Sequence, residues 1–164
     1  MSLGTTLLRV AVGASFVGHG LQKLNGSFGG PGLSGVEGVM KSLNLHPAKR
    51  NALLAALTET LGGAGILTGT LTPLAAAGLV GSMVTAVRKV HLKNGLFNSD
   101  GGYEYNAVLV GALAVIAAGP GVVSFDAIIG KKKWGVGGTL FALIVGFAAS
   151  AAIIELGERN APPE

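Results

Sequence analysis

The feature that most constrains the fold of this chain is a series of apolar runs, the longest of which reach the length that crosses a lipid bilayer. Five such runs cover residues 3–24, 51–70, 74–87, 104–118 and 138–154. A helix rises ~1.5 Å per residue, so about 20 residues cross the ~30 Å hydrocarbon layer. Charged residues make up 12% of the chain, against about 25% in a soluble domain. We therefore predict an all-α fold, a polytopic transmembrane helix bundle that forms a single membrane domain over residues 1–164.

Helix-breaking residues separate these runs. Pro47 precedes the second run, and Thr72 followed by Pro73 predicts a threonine cap with proline at the first position of the third helix. Residues 119–121, Gly-Pro-Gly, end the fourth run. The first run lacks a basic leader and a convincing cleavage site, which predicts a retained helix and not a signal peptide.

Pairs of small residues four positions apart recur in these runs. Such spacing lets helix backbones approach closely in lipid and predicts a tight bundle. The pairs are Ala14 with Gly18, Gly65 with Gly69, Ala77 with Gly81 and Ala107 with Gly111.

The basic residues lie at the ends of apolar runs. The net charge of +4 therefore indicates contact with anionic lipid headgroups and no nucleic-acid partner. Five spans place eight of the twelve Lys and Arg residues on the face that carries the first loop, the third loop and the C-terminus. The positive-inside rule predicts that this face is cytoplasmic, against the local cluster at residues 131–133. The chain has no cysteine, so a redox role requires a bound cofactor.

Polar residues in and beside the runs are the candidates for ligand binding or proton handling. His19 and Lys23 share a helical face, as do Arg88 and His91, and Glu104 opens the fourth run at the same end. A carboxylate inside an apolar run, as at position 59, is costly unless it is paired or faces a cavity. The candidates are His19, Lys23, Glu59, Arg88, His91 and Glu104. We expect all of them except Arg88 to converge on one pocket, with His19 and Lys23 pointing inward.

Three further polar residues are predicted to be structural. Arg9 is positioned to pair with Glu59 between helices. The GPGVVSFD segment, residues 119–126, is expected to form a fixed turn that presents Ser124 and Asp126 where the first helix begins. Asp126 would cap the following apolar segment or pair with Arg9. No metal site is predicted, because two histidines alone are a weak haem signal.

The order of these motifs resembles the DoxX family of small bacterial membrane proteins. The resemblance rests on Arg9, GHGLQKL at 18–24, TETLGGAGILTGTLTP at 58–73, His91 and GPGVVSFD at 119–126, and it covers a core at 5–128. The family implies four transmembrane helices. A fifth helix at 138–156 is an extension that this resemblance does not explain.

The resemblance also implies a function. DoxX proteins are linked to membrane redox systems, including the small quinone-reducing subunit of thiosulfate:quinone oxidoreductase. We expect a multi-pass subunit of a quinone-linked oxidoreductase in the cell inner membrane, with quinone as its cofactor and a redox protein as its partner. Whether the chain is itself an enzyme, and whether it forms homo-oligomers, stays open. Two other classes also stay open: a non-enzymatic anchor or assembly subunit, and a small carrier or channel.

Overall fold

The computed structural model describes residues 3–162, and this part of the chain is helical with no strand. The predicted all-α fold is confirmed. A π-helical turn, Val87–His91, continues the fourth α-helix, and 3-10 turns lie in the connections. The α-helices are α1 (Leu3–Asn25), α2 (Gly32–Ser42), α3 (Ala48–Thr68), α4 (Thr72–Ala86), α5 (Glu104–Ala117), α6 (Phe125–Ile128) and α7 (Gly135–Arg159).

Five of these helices correspond to the predicted apolar runs, and α2 and α6 do not. The sequence of α2 contains glycines at positions 32, 35 and 38, which disfavour a helix in isolation. The helix forms because its apolar face packs on α3 and α1, with Val36 buried. Tertiary contact thus overrides a poor local propensity.

The long helices alternate in direction, and we name the two ends of the bundle by what they contain. At the cavity end lie the ends of α1, α4 and α7 and the starts of α3 and α5. His46 N donates to the Gly157 carbonyl there at 3.1 Å. Lys89 Nζ pairs with Glu158 Oε1 at 2.8 Å at the same end.

At the opposite, turn end lie the starts of α1, α4 and α7 and the ends of α3 and α5. Asp126 N donates to the Gly69 carbonyl at 2.8 Å, which joins the segment after α5 to the end of α3. Trp134 N donates to the Ala118 carbonyl at 2.9 Å, which joins the start of α7 to the end of α5.

Helices α1 and α3 make the closest backbone contact. A Cβ built on Gly13 would lie 2.5 Å from the backbone nitrogen of Leu67, and one on Gly63 would lie 2.7 Å from that of Val17. Neither helix can move away without losing the packing around buried Phe16. Glycine is therefore required at both positions by the distance between the helices.

The predicted small-residue pairs are used selectively. Gly81, of the pair with Ala77, lies against α7, where a Cβ would come 3.2 Å from the Gly146 carbonyl. The pairs that contain Gly18 and Gly111 were wrongly predicted as helix contacts, because nothing lies within 4 Å of either Cβ position among the described residues. Four-residue spacing makes close approach possible, and the neighbouring helix decides which face uses it.

Large apolar side chains cover the outside of the bundle. Leu61 on α3 is 66% exposed, Val108 on α5 is 68% exposed and Ile144 on α7 is 65% exposed. Among the described helices, α7 is long and apolar enough to cross a membrane by itself, and α5 is apolar but has 14 residues. An apolar outer surface of this extent is typical of contact with lipid or with another protein.

The close contact of α1 with α3 predicts opposite effects of one substitution at two sites. Gly13→Ala should lower the free energy of unfolding by about 1–3 kcal/mol, because the added methyl meets backbone that must shift. Gly18→Ala should leave stability unchanged or raise it by up to ~1 kcal/mol, since alanine favours the helix and the site is open. Thermal unfolding in one detergent measures both, and equal melting temperatures would contradict the packing described.

Candidate functional site

A cavity of about 450 Å³ lies at the cavity end of the bundle, between α1, α2, α3, α4 and α7. Its walls are mostly apolar, with Val36 and Met40 from α2, Leu54 from α3 and Ile153 from α7. A small number of polar side chains interrupts these walls. A concave, largely apolar site with a few polar groups is the usual form of a small-molecule binding site.

An ion pair forms the main polar group of this cavity. Lys23 Nζ donates to Glu59 Oε2 at 2.5 Å, and Ser82 Oγ donates to Glu59 Oε1 at 3.1 Å. The Glu59 side chain is 6% exposed and that of Lys23 is 29% exposed. Because each carboxylate oxygen has a partner, the cost of burying Glu59 is offset locally.

Asn51 is a polar residue of the cavity that sequence reasoning missed. It lies in the first turn of α3, lines the cavity and is 4% exposed. Neither its Nδ2 nor its Oδ1 has a hydrogen-bond partner among the described residues. Residues 51, 55 and 59 all line the cavity at four-residue steps of α3, and that spacing back from Glu59 is the sequence signal that points to Asn51.

Of the six candidates, the structure brings Lys23 and Glu59 to the cavity, and the inward orientation expected for His19 was wrong. His19 is exposed, with Nδ1 3.0 Å from Gln22 Oε1. The physical reason is helix geometry: Gly20 faces α3, and the residue before it points about 100° away, whereas Lys23 comes back near the α3 face. His19 shares a broad face with Lys23 but lies on its outer side.

The other three candidates also lie outside the cavity lining. The single pocket expected for His19, Lys23, Glu59, His91 and Glu104 was therefore wrong. Arg88 is exposed, and Glu104 is half-buried at the start of α5. His91 Nδ1 lies 2.7 Å from the Gly101 carbonyl, which holds the connection between α4 and α5. Ligand-binding or proton-handling roles for these residues stay predictions. Lys89, which was not among the candidates, lines the cavity and pairs with Glu158.

Arg9 anchors the turn end instead of pairing with Glu59, so that predicted pair was wrong. Its side chain is buried, and it donates to the carbonyls of Pro120 at 2.8 Å and Val123 at 2.5 Å. Antiparallel packing explains the difference, because it places Arg9 beside Gly69. Gly69 is ten residues, or ~15 Å along the helix, from Glu59.

Asp126 caps α4. The two roles expected for it were different: a cap of the apolar segment that follows it in the sequence, or a pair with Arg9. Its carboxylate accepts hydrogen bonds from Leu71 N at 2.8 Å and Thr72 N at 2.9 Å. Trp134 Nε1 donates to the same carboxylate at 3.1 Å. The cap predicted for Thr72 is therefore supplied from a distant part of the chain.

The predicted turn at residues 119–126 is ordered by its own side chains as well. Ser124 is the N-cap of α6: its Oγ accepts from Ala127 N at 3.1 Å and donates to the Gly121 carbonyl at 2.7 Å. Burial raises the pKa of Asp126, but hydrogen bonds from Thr72, Trp134 and Leu71 outweigh burial and hold that pKa below its ordinary value of 3.8.

No group of three or more His, Asp or Glu residues within the described range 3–162 is placed to hold a metal ion. The polar side chains that line the cavity carry ammonium, carboxylate, hydroxyl and amide groups. Together these can donate hydrogen bonds to an uncharged polar group and accept hydrogen bonds from it.

Comparison with known proteins identifies a family for the chain. The family model described as DoxX matches residues 4–92, which is more than half of the chain and contains Asn51, Lys23 and Glu59. The resemblance inferred from the motifs is confirmed. The match ends before α5, so the turn at 119–126 and α7 lie outside it. No curated protein and no solved structure matches the chain.

The cap on α4 predicts that Asp126→Asn is destabilising. The loss should be about 1–3 kcal/mol, because a buried amide of the first turn loses its acceptor. Asp100→Asn, at an exposed loop position, is the matched control and should change stability little. Because the folded pKa of Asp126 is lowered, its contribution is present above pH 3.8 and is lost as pH falls through that folded pKa. Unfolding curves at neutral and acid pH measure this, and an Asp126→Asn protein as stable as the parent would indicate an ordinary solvated loop.

Proposed function

The chain belongs to the DoxX family and is a membrane protein of the DoxX type, and on this premise we propose that it is a multi-pass subunit of a quinone-linked oxidoreductase in the cell inner membrane. The cavity of about 450 Å³, with the Lys23–Glu59 pair on its apolar wall, carries the proposal. The lipid bilayer and a redox protein of the same complex are its proposed partners. Self-association within that complex is compatible with the exposed apolar face of α7.

The multi-pass topology is supported by the outer surface and the alternating helices. Exposed apolar side chains lie on α1, α3, α5 and α7, as expected where helices face lipid. Helix α5 covers ~21 Å, less than the ~30 Å layer, and a short span is accommodated by local thinning of the bilayer. Eight of the twelve Lys and Arg residues lie at the cavity end, at the ends of α1, α4 and α7, in α2, at the start of α3 and after α4, so the cavity end is proposed to be cytoplasmic.

The absence of cysteine makes this topology directly testable by single-cysteine labelling. Asn25→Cys and Arg159→Cys lie at the cavity end, and Lys132→Cys lies beside the start of α7 at the turn end. In intact cells a membrane-impermeant maleimide should label Lys132→Cys, and it should label the other two only after the membrane is permeabilised. Labelling of Asn25→Cys and Arg159→Cys from opposite sides would contradict the even number of spans, α3, α4, α5 and α7, between them.

The residues of the cavity fit a quinone. A quinone takes up two electrons and two protons on reduction, and it presents a polar ring on an apolar tail. Val36, Met40 and Ile153 provide apolar surface for the tail. Lys23 can donate a hydrogen bond to a ring oxygen, and Glu59 can hold a proton beside it. The chain has no thiol pair, and we propose that electrons come from the partner protein.

The quinone proposal predicts a specific effect of Glu59→Gln. This change keeps the size of the side chain but removes its charge, and it should weaken quinone binding about tenfold, which corresponds to 1.4 kcal/mol. Glu155→Gln, at an exposed pair with Arg159, is the matched control and should bind as the parent does. Bound quinone and partner chains are measured in native-detergent preparations, and quinone affinity is measured by titration calorimetry.

The same preparations distinguish the other classes. A Glu59→Gln protein that fails to fold would make the Lys23–Glu59 pair structural. Stable partner chains without quinone would indicate an anchor or assembly subunit, a role that the exposed face of α7 would serve. A preparation that contains neither quinone nor partner chains would leave the proposal without support.

A further inference from the structure

We infer that the cavity holds a para-quinone by its two ring oxygens, one at Asn51 and the other at the cluster of Lys23, Glu59 and Ser82. This inference rests on the proposed function and names the binding mode within it. It assigns Asn51 as a ligand-binding residue, and it makes α3 the helix along which the ring lies.

The first observation is the difference between the two polar positions. Both oxygens of Glu59 have partners, Lys23 and Ser82. Asn51 is 4% exposed, and both of its polar side-chain atoms are unpaired among the described residues. A buried amide without partners is destabilising, and such groups in native proteins usually mark a bound molecule or a functional role. Because Asn51 lines the cavity, a ligand in that cavity is its available partner.

The second observation is the spacing along α3. Asn51 and Glu59 are eight residues apart, a rise of ~12 Å, and side chains lean in the same direction along a helix. The oxygens of a para-quinone lie about 5 Å apart across the ring, with C=O bonds of ~1.23 Å. A hydrogen bond of ~2.9 Å at each oxygen, along the lone-pair directions or the C=O axis, places the two partner atoms about 8–11 Å apart. The two positions therefore suit oxygens on opposite sides of one ring.

The chemistry of an amide adds a further match. Nδ2 of Asn51 can donate to a quinone carbonyl, and Oδ1 can accept from a hydroquinone hydroxyl. One uncharged side chain thus serves both redox forms. A fatty acid or a phospholipid carries its polar group at one end, so it would fill one of the two positions and leave the other without a partner.

Two small ligands and one variant test this binding mode. Duroquinone has two ring oxygens, and 2,3,5,6-tetramethylphenol has the same carbon skeleton with one. Asn51→Leu should raise the dissociation constant for duroquinone about tenfold, the factor that 1.4 kcal/mol gives, and leave that for the phenol unchanged. Asn106→Leu is the matched control, because Asn106 is 7% exposed on α5 and does not line the cavity. It should change neither constant.

Thermal unfolding of the ligand-free proteins gives an independent measurement. Asn51→Leu should raise the melting temperature, because it removes an unpaired buried amide, while it weakens duroquinone binding. A structural role for Asn51 would instead lower the melting temperature and leave affinity unchanged, which would overturn the inference. So would equal weakening of both ligands by Asn51→Leu. If the parent protein binds neither ligand, the proposed function itself fails. That result is distinct from duroquinone binding that Asn51→Leu leaves unchanged, which overturns the inference alone.

Discussion

The close contact of α1 with α3 is the constraint on which the other features depend. Glycines at 13 and 63 let the two backbones approach within the distance that one added methyl would occupy. This antiparallel pairing sets which residues face each other. It brings Lys23 to Glu59 near one end and Arg9 beside Gly69 at the other. A different register between these helices would leave the carboxylate of Glu59 without its cation, a costly state in an apolar interior.

The two ends of the bundle use polar groups in different ways. At the turn end, Arg9, Ser124 and Asp126 bond mainly to backbone groups, and they satisfy helix ends and a turn. At the cavity end, Lys23 and Glu59 bond through side chains and border an open volume. Backbone partners indicate a structural role, because those groups need partners in any folded state. Side chains beside a cavity remain available to a ligand.

Much of the fold and part of the site could be predicted from the sequence. The long helices follow apolar runs, because hydrophobic length is a local property. Glu59 could be marked as a candidate, because a carboxylate in an apolar run needs a compensating partner wherever the run lies. His19 and Asn51 show the limit. The orientation of a side chain depends on which neighbouring helix covers each face of its own helix. A spacing of whole helical turns from Lys23 or Glu59 therefore does not decide whether a side chain reaches the cavity.

The sequence by itself determined an all-helical chain of the DoxX family, its apolar surface, its helix-ending residues and the charge asymmetry of its two ends. These follow from composition and order along the chain. Only the tertiary structure decided that Asp126 caps α4, that Arg9 binds a turn more than 110 residues away, and that Asn51 stands unpaired in the cavity among the described residues. The physical reason is that hydrogen bonds act over about 3 Å in space. How the helices pack sets which residues come within that distance, and the separation of two residues along the sequence does not determine it.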